Sequence, residues 1–295
     1  MRCLRWAGAA VALGVVAACT AQPNSRAPGL QTDDRSGYAE YVTRSIAEGR
    51  LRLDRDARDV PFNGRDLARN FIKIALRQES VRGQRAGPIP LWRWEKPIRY
   101  RVLGESATEQ DRAEVDAFMA RMARLSGRDI RPGEPANFEI YFLDAVGRRT
   151  AARRQAALRT PRGAELAEFL DRGTDWENPC RGTGQRGDGD TIEYVAVLIK
   201  AETVDRLRRA CIEEEIAQGF GLINDDPTVE PSIFNDRNRF ALLTDHDAEL
   251  VRMLYHPLLR PGMTAEAAQP LLPRVLADLG YRDPLPSLRT GAGSV

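Results

Sequence analysis

Residues 211–225 read CIEEEIAQGFGLIND. Successive residues rotate by about 100° in a helix, which puts Val204, Leu207, Cys211, Glu215 and Gln218 on one side with Glu214 at its margin. Ile212, Ile216 and Phe220 occupy a second side, and Glu213 falls beside Arg206 on the remaining one. Glu215 and Gln218 therefore share a sector of apolar residues that should turn inward. A buried carboxylate or amide is costly unless it is partnered, so these two positions stand apart from ordinary surface acids. Thr203 is placed to cap the helix, which is predicted to run to about Phe220, and IEYVAVLI (192–199) ahead of it reads as a buried strand.

Outward from that helix, KPIRYRVL (96–103) alternates apolar and polar residues and reads as a strand. Thr108 caps a helix to about Leu125, with Asp111 three residues on as a short form of the capping box. NFEIYFL (137–143) reads as an edge-type strand. Residues 145–190 form a polar insertion rich in Arg and Gly, with one or two short helices around 151–170; Arg148, Arg149, Arg153 and Arg154 there are assigned to a solvated face. Residues 37–48 and a second helix beginning at Asn63 make an N-terminal helical cap over 37–87. A Gly and Pro cluster at 82–90 separates this cap from a main domain at 88–285. Trp92 and Trp94 are expected to pack the cap onto the domain, the other reading being an exposed aromatic platform. Residues 264–279, interrupted by Pro270 and Pro273, are expected to form a broken helix on the outside, and 286–295 a disordered tail.

With these elements placed, the quoted stretch resembles the metzincin zinc-protease motif HExxHxxGxxH. Glu215 and Gly221 match it, while the three ligand positions hold Glu214, Gln218 and Asn224. The strand–helix–strand–strand–helix order ahead of it resembles that of matrixin-like metzincins. Pro231-Ser232-Ile233-Phe234 resembles the Met-turn segment with Phe234 where Met is usual, and Leu243–Tyr255 resembles the closing helix, with Thr244 and Asp247 suited to its N-cap. The fold the resemblance implies is α+β and metzincin-like (zincin), with a small mixed sheet, a motif helix and a closing helix behind the helical extension. A closer resemblance is to the proteobacterial lipoprotein family called domain of unknown function 2927. It is carried by Cys211, Glu214, Glu215, Gln218, Gly221-Leu222, Asn224-Asp225, Ser232-Ile233-Phe234 and Arg260-Pro261-Gly262-Met263. That family has no established activity, so membership would imply a compartment only.

Zinc prefers nitrogen and sulfur donors, and the two histidines, His246 and His256, both lie past the motif. His246 falls in a helix's first turn and His256 at a helix end, neither expected to bind metal. One carboxylate with two amides is an oxygen set suited weakly to a hard cation. No cofactor and no metal are therefore expected.

The N-terminus carries Arg2 and Arg5 ahead of an apolar run to Ala18, too short to span a bilayer and fitting a signal peptide over 1–18. Val16-Ala17-Ala18-Cys19 resembles a lipobox, which implies acylation of Cys19, a tether over 19–36 and the periplasmic side of an outer membrane; an ordinary secretory signal cut near Ala21 is the alternative. Without residues 1–18 the 44 Lys and Arg fall to 42 against 42 Asp and Glu, which gives no electrostatic case for nucleic acid. Setting aside Cys3 and Cys19 leaves Cys180 and Cys211, an even pair expected to form a disulfide in an oxidising compartment, the alternative being two buried thiols. Three functional expectations follow. A catalytically silent module could bind an extended peptide or an envelope protein by strand addition. A lipoprotein could be purely architectural. A hydrolase with an altered site could use Glu215 as base, its carboxyl raised by burial beside Glu214.

Overall fold

In the computed structural model the described residues are 34–78, 86–171, 178–235 and 237–282. The expected signal peptide, Cys19, most of the tether, the Gly and Pro cluster up to 85 and the C-terminal tail lie outside them.

Three caps are built as their sequences dictate. Helix α1 spans Asp34–Ala47 and α2 spans Gly64–Ala75, the latter opened by Asn63, whose side chain accepts from the Arg65 and Asp66 amides while Asp66 answers onto the Asn63 amide. After the short antiparallel pair β1 (Arg77–Gln78) and β2 (Gly87–Pro88) come β3 (Ile98–Leu103) and α3 (Glu109–Ser126), the latter with the Thr108–Asp111 box in place. Strands β4 (Ile130–Pro132) and β5 (Phe138–Leu143), helices α4 (Ala145–Ala157) and α5 (Pro161–Asp171), strands β6 (Cys180–Arg186) and β7 (Ile192–Lys200) and helix α6 (Asp205–Gln218) follow. Then α7 (Asp245–Leu254) carries the third box, Thr244 with Asp247. The last segment breaks as its prolines require, into α8 (Ala265–Ala268), a 3₁₀ turn and α9 (Leu272–Asp278). It is less peripheral than expected, because Leu272, Val275 and Leu276 are buried in the main core.

The sheet is mixed and five-stranded, in the order β4-β3-β5-β7-β6. Its first four strands run parallel and β6 runs antiparallel to β7 at one edge. The class is α+β, and the chemistry of β5 and β7 explains the layering. Phe138, Ile140, Phe142, Val197 and Ile199 face one core with the buried faces of α2, α3, α6 and α7. Tyr141, Leu143, Tyr194, Ala196 and Leu198 face a second, smaller core with Leu166 and Leu170 of α5 and Ala152 of α4. Side chains that alternate across a strand thus enter two different cores, and all six β5 residues are buried.

That burial corrects the edge assignment of NFEIYFL, which is the central strand; parallel strands covered on both faces read as continuous apolar runs. The edges are β4 and, inside what reads as a polar insertion, β6, CRGTGQR. Its register comes from pairing with β7, Cys180 opposite Ile199 through Gln185 opposite Tyr194, and not from its own pattern. Arg148 is also misplaced by the sequence reading: it is buried, 3.6 Å from Glu202, whereas Arg149, Arg153 and Arg154 are exposed. Thr203 does not cap α6. The N-cap is Val204, without a side-chain hydrogen bond, because the Thr203 hydroxyl donates to the Lys200 carbonyl at 2.7 Å in closing the turn after β7.

The helices ahead of residue 88 share buried clusters with the elements that follow. Leu67, Phe71 and Ile74 of α2 belong to the main core, and α1 packs Tyr38 and Val42 with Leu207 and Ala210 of α6. Cys180 and Cys211 are joined, with Cα atoms 5.7 Å apart, tying the start of β6 to α6 across 31 residues. Closing a loop of that length restricts the unfolded chain by about 3–4 kcal/mol in the chain-entropy picture. Cys211→Ser is therefore expected to lower unfolding stability by about 2–4 kcal/mol, read as a lower denaturant midpoint that matches wild type under reductant.

Candidate functional site

Helix α6 lies against β6 and β7, and the site is the space between them. Glu215, one turn after Cys211 on the inward side, is 8 % exposed. Its Oε2 has no hydrogen-bond partner among the described residues. Oε2 faces Gly182 of β6, so closely that a Cβ on that residue would sit 3.2 Å from it. The Gly182–Arg186 segment then runs along a pocket of about 190 Å³. Glu215 stands at its Gly182 end. At the other end Trp92 carries the Arg186 guanidinium 4.0 Å over its ring. Ile192, Val195 and Ile223 supply apolar wall between them.

Gln218 is half-buried at the same wall and donates to both carboxylate oxygens of Asp225 at 3.1 Å. Asn224 points elsewhere: its Nδ2 donates to the Lys73 carbonyl at 2.8 Å and its backbone amide to Ile74, at the C-terminal end of α2. Of the positions aligned with metal ligands, Glu214 and Gln218 stand one turn apart on α6, whereas the Asn224 amide is spent on another helix. The group that closes onto Gln218 is Asp225. With both amides engaged by neighbours and no histidine nearby, this donor set does not fit zinc. Among the described residues no group of three or more His, Cys, Asp or Glu side chains could hold a metal ion.

The bend that ends α6 is glycine-dependent. Gly221 has φ +116° and lies against the Trp92 carbonyl. The chain then returns through 231–234, where Asp247 of α7 fixes the turn by accepting from the Ser232 hydroxyl at 2.6 Å and the Ile233 amide at 2.9 Å. Phe234 is fully buried below. His246, also fully buried, meets Asn70 through Nε2 at 3.0 Å and the Phe62 ring edge-on. His256 accepts the Leu258 amide at Nδ1 and lies 3.6 Å from Asp278.

Burial, then the nearby charge of Asp225, pushes the Glu215 carboxyl up to about 8, with Arg181 opposing. The neighbour responsible is Asp225 and not Glu214. Between pH 4.5 and about 8 the folded chain holds a proton that the unfolded chain has released. A raised carboxyl makes stability fall with rising pH across that window. Glu215→Gln should remove this slope, leaving stability at pH 5 nearly unchanged and gaining about 1–3 kcal/mol at pH 9, measured by urea denaturation at the two pH values.

Two features escaped the sequence. Glu213, placed by the helical wheel on the outward side, is buried in a 2.5 Å ion pair with Arg55 and accepts the Leu243 amide at 2.8 Å. Its signal was weak, because Arg55 lies 158 residues away. The second is where Trp92 and Trp94 stand: Trp94 shares the main core with Leu67, Phe71 and Ile74 of α2, and Trp92 packs against it. Trp94 stacks on Phe138 and donates Nε1 to the Gly219 carbonyl at 2.9 Å, and Trp92 walls the pocket.

The fold and site thus define an α+β domain in which a pocket joins an edge strand to a buried helical glutamate. The chain belongs to the family described as Protein of unknown function (DUF2927), whose model matches residues 64–274. That match begins at α2, consistent with α2 being part of the main core. No curated protein matches the chain.

Proposed function

We propose that this protein is an envelope lipoprotein, acylated at Cys19, whose metzincin-like domain binds an extended peptide or a protein segment without cleaving it. The observation that carries this reading is the pocket between Glu215 and β6, beside a sheet edge. Among the described residues no strand pairs with the outer side of β6, and a sheet edge is a template for an added strand, with pockets for alternate side chains supplying specificity. The metzincin resemblance is supported by the succession β3, α3, β5, β7 and α6, interrupted by β4 before β5 and by α4, α5 and β6 before β7, by the glycine-mediated bend at 221 and by the 231–234 turn held to the closing helix. The lipid tether rests on the sequence alone; no helix among the described residues is long and apolar enough to cross a membrane.

An architectural role is favoured by one observation, the use of Asn224 and Glu213 as internal fasteners to α2 and Arg55. A hydrolase with Glu215 as base is less well supported, since a carboxyl raised to about 8 stays protonated near neutrality. The deciding experiment is selection of a random peptide library on the purified mature chain, followed by hydrogen exchange. Peptide capture should protect β6 amides, and Gly182→Val, which fills the pocket, should abolish capture while the chain stays folded. Capture without β6 protection sinks the strand-addition reading.

A further inference from the structure

We infer that the pocket beside β6 is a receptor for a linear alkylammonium group, the side chain of a lysine, with Glu215 as its counter-ion. This inference rests on the peptide-binding reading and names the side chain that reading leaves open.

Size comes first. About 190 Å³ lies below the range of roughly 300–1,000 Å³ that encloses drug-sized ligands, and suits one long side chain. The chemistry of the walls then selects among side chains. Trp92, Ile192, Val195 and Ile223 offer apolar surface along the length, which matches a methylene stem. One end holds a carboxyl oxygen that is buried and has no hydrogen-bond partner among the described residues. A buried acceptor left unmatched is costly, and a ligand that brings a charged donor to it converts that cost into a charge-assisted hydrogen bond.

The charge facing Glu215 decides the sign of the ligand. From β6 it meets Arg181, whose guanidinium also lies 4.8 Å over the Phe169 ring, and from the segment after α6 it meets Asp225. Arg186, which also lines the pocket, is paired with Asp190 at 2.6 Å, so Arg181 is the cation set against Glu215 and Asp225, and the Glu215 carboxyl is held protonated. An anionic ligand would meet the negative Asp225 beside a carboxyl that burial already keeps from ionising; a cation would be accepted as Glu215 gives up its proton. Gly182 permits the approach, since any larger residue there would cover Oε2. An ammonium head, compact and carrying three donors on a flexible stem, fits a single buried oxygen better than the planar guanidinium fork.

The probe is n-butylammonium, with n-butanol of the same stem length as control, titrated against the mature chain by NMR with carboxyl-labelled glutamate. n-Butylammonium should bind, and saturating it should lower the pH midpoint of the Glu215 carboxyl signal by at least one unit. Its affinity should rise by about fivefold or more from pH 6 to pH 8, because binding releases the Glu215 proton while the alkylammonium stays charged up to about 10. Glu215→Gln should weaken it tenfold or more, and Asp225→Asn should move the pH dependence to lower pH without abolishing binding. Equal binding of n-butanol, affinity that falls as pH rises, or full affinity in Glu215→Gln overturns the inference. The parent reading fails separately. Peptides that protect β6 regardless of lysine would leave strand addition standing and refute the ammonium site, whereas n-butylammonium bound with no peptide protecting β6 would do the reverse.

Discussion

Gly221→Ala is expected to cost more than about 4 kcal/mol, or to prevent folding. At φ +116° an L side chain is strained by about 1–3 kcal/mol whatever the space around it. Here there is also no space, since the new Cβ would lie 2.1 Å from the Trp92 carbonyl oxygen. That carbonyl cannot yield easily. Its segment is held by the Leu91 amide on the Met263 carbonyl, by the Gly262 amide on the Leu91 carbonyl and by Trp94 Nε1 on the Gly219 carbonyl. Gly49→Ala is the control: its φ is +72°, but nothing lies within 4 Å of the added carbon, so the cost should stay near 1 kcal/mol. Urea midpoints of both variants decide the matter. A Gly221→Ala chain as stable as Gly49→Ala would mean that the bend is not rigidly seated against Trp92.

Asp247→Ala is expected to cost about 3–5 kcal/mol. This carboxylate is fully buried. It accepts the Ser232 hydroxyl on one oxygen, and on the other the amides of Ile233 at 2.9 Å and Thr244 at 3.0 Å, with the Thr244 hydroxyl at 2.8 Å. Truncation strands two buried backbone N–H groups and removes half of the capping box of α7. Ser232→Ala, which deletes one donor and leaves the carboxylate the Ile233 amide, the Thr244 amide and hydroxyl, and His246 Nδ1 at 3.3 Å, should cost only about 1 kcal/mol. The comparison by thermal denaturation separates a network anchored on Asp247 from one shared evenly along the turn. Equal losses in the two variants would show that the turn, not the carboxylate, is the anchor.

Much of this was legible in the chain, and the reason differs by element. Thr108, Thr244 and Asn63 each carry the residue that answers them three positions on, so these three helix starts are local chemistry, whereas Thr203 is drawn off by the Lys200 carbonyl and leaves α6 without a side-chain cap. Alternation in IRYRVL and an apolar run in IEYVAVLI name strands for the same reason. By contrast, CRGTGQR has no pattern of its own; a strand made by its partner's hydrogen bonds is invisible until the partner is placed. Arg148 and Glu213 read as surface charges because ion pairs with Glu202 and Arg55 are not written within one helical turn.

The helical wheel also reached the inward placement of Glu215, since the 3.6-residue period alone sets which side a residue shares with Leu207 and Cys211. Pairing the two cysteines left by the N-terminal reading required only counting. What the sequence could not decide was direction in space: that Asn224 turns to α2, that Asp225 takes its place beside Gln218, and that Trp92 and Gly182 come from distant segments to line one pocket with Glu215. Those outcomes depend on which backbone carbonyls and charges the folded layers bring within about 3 Å of each polar group, and such proximities exist only once the sheet and α6 are packed together.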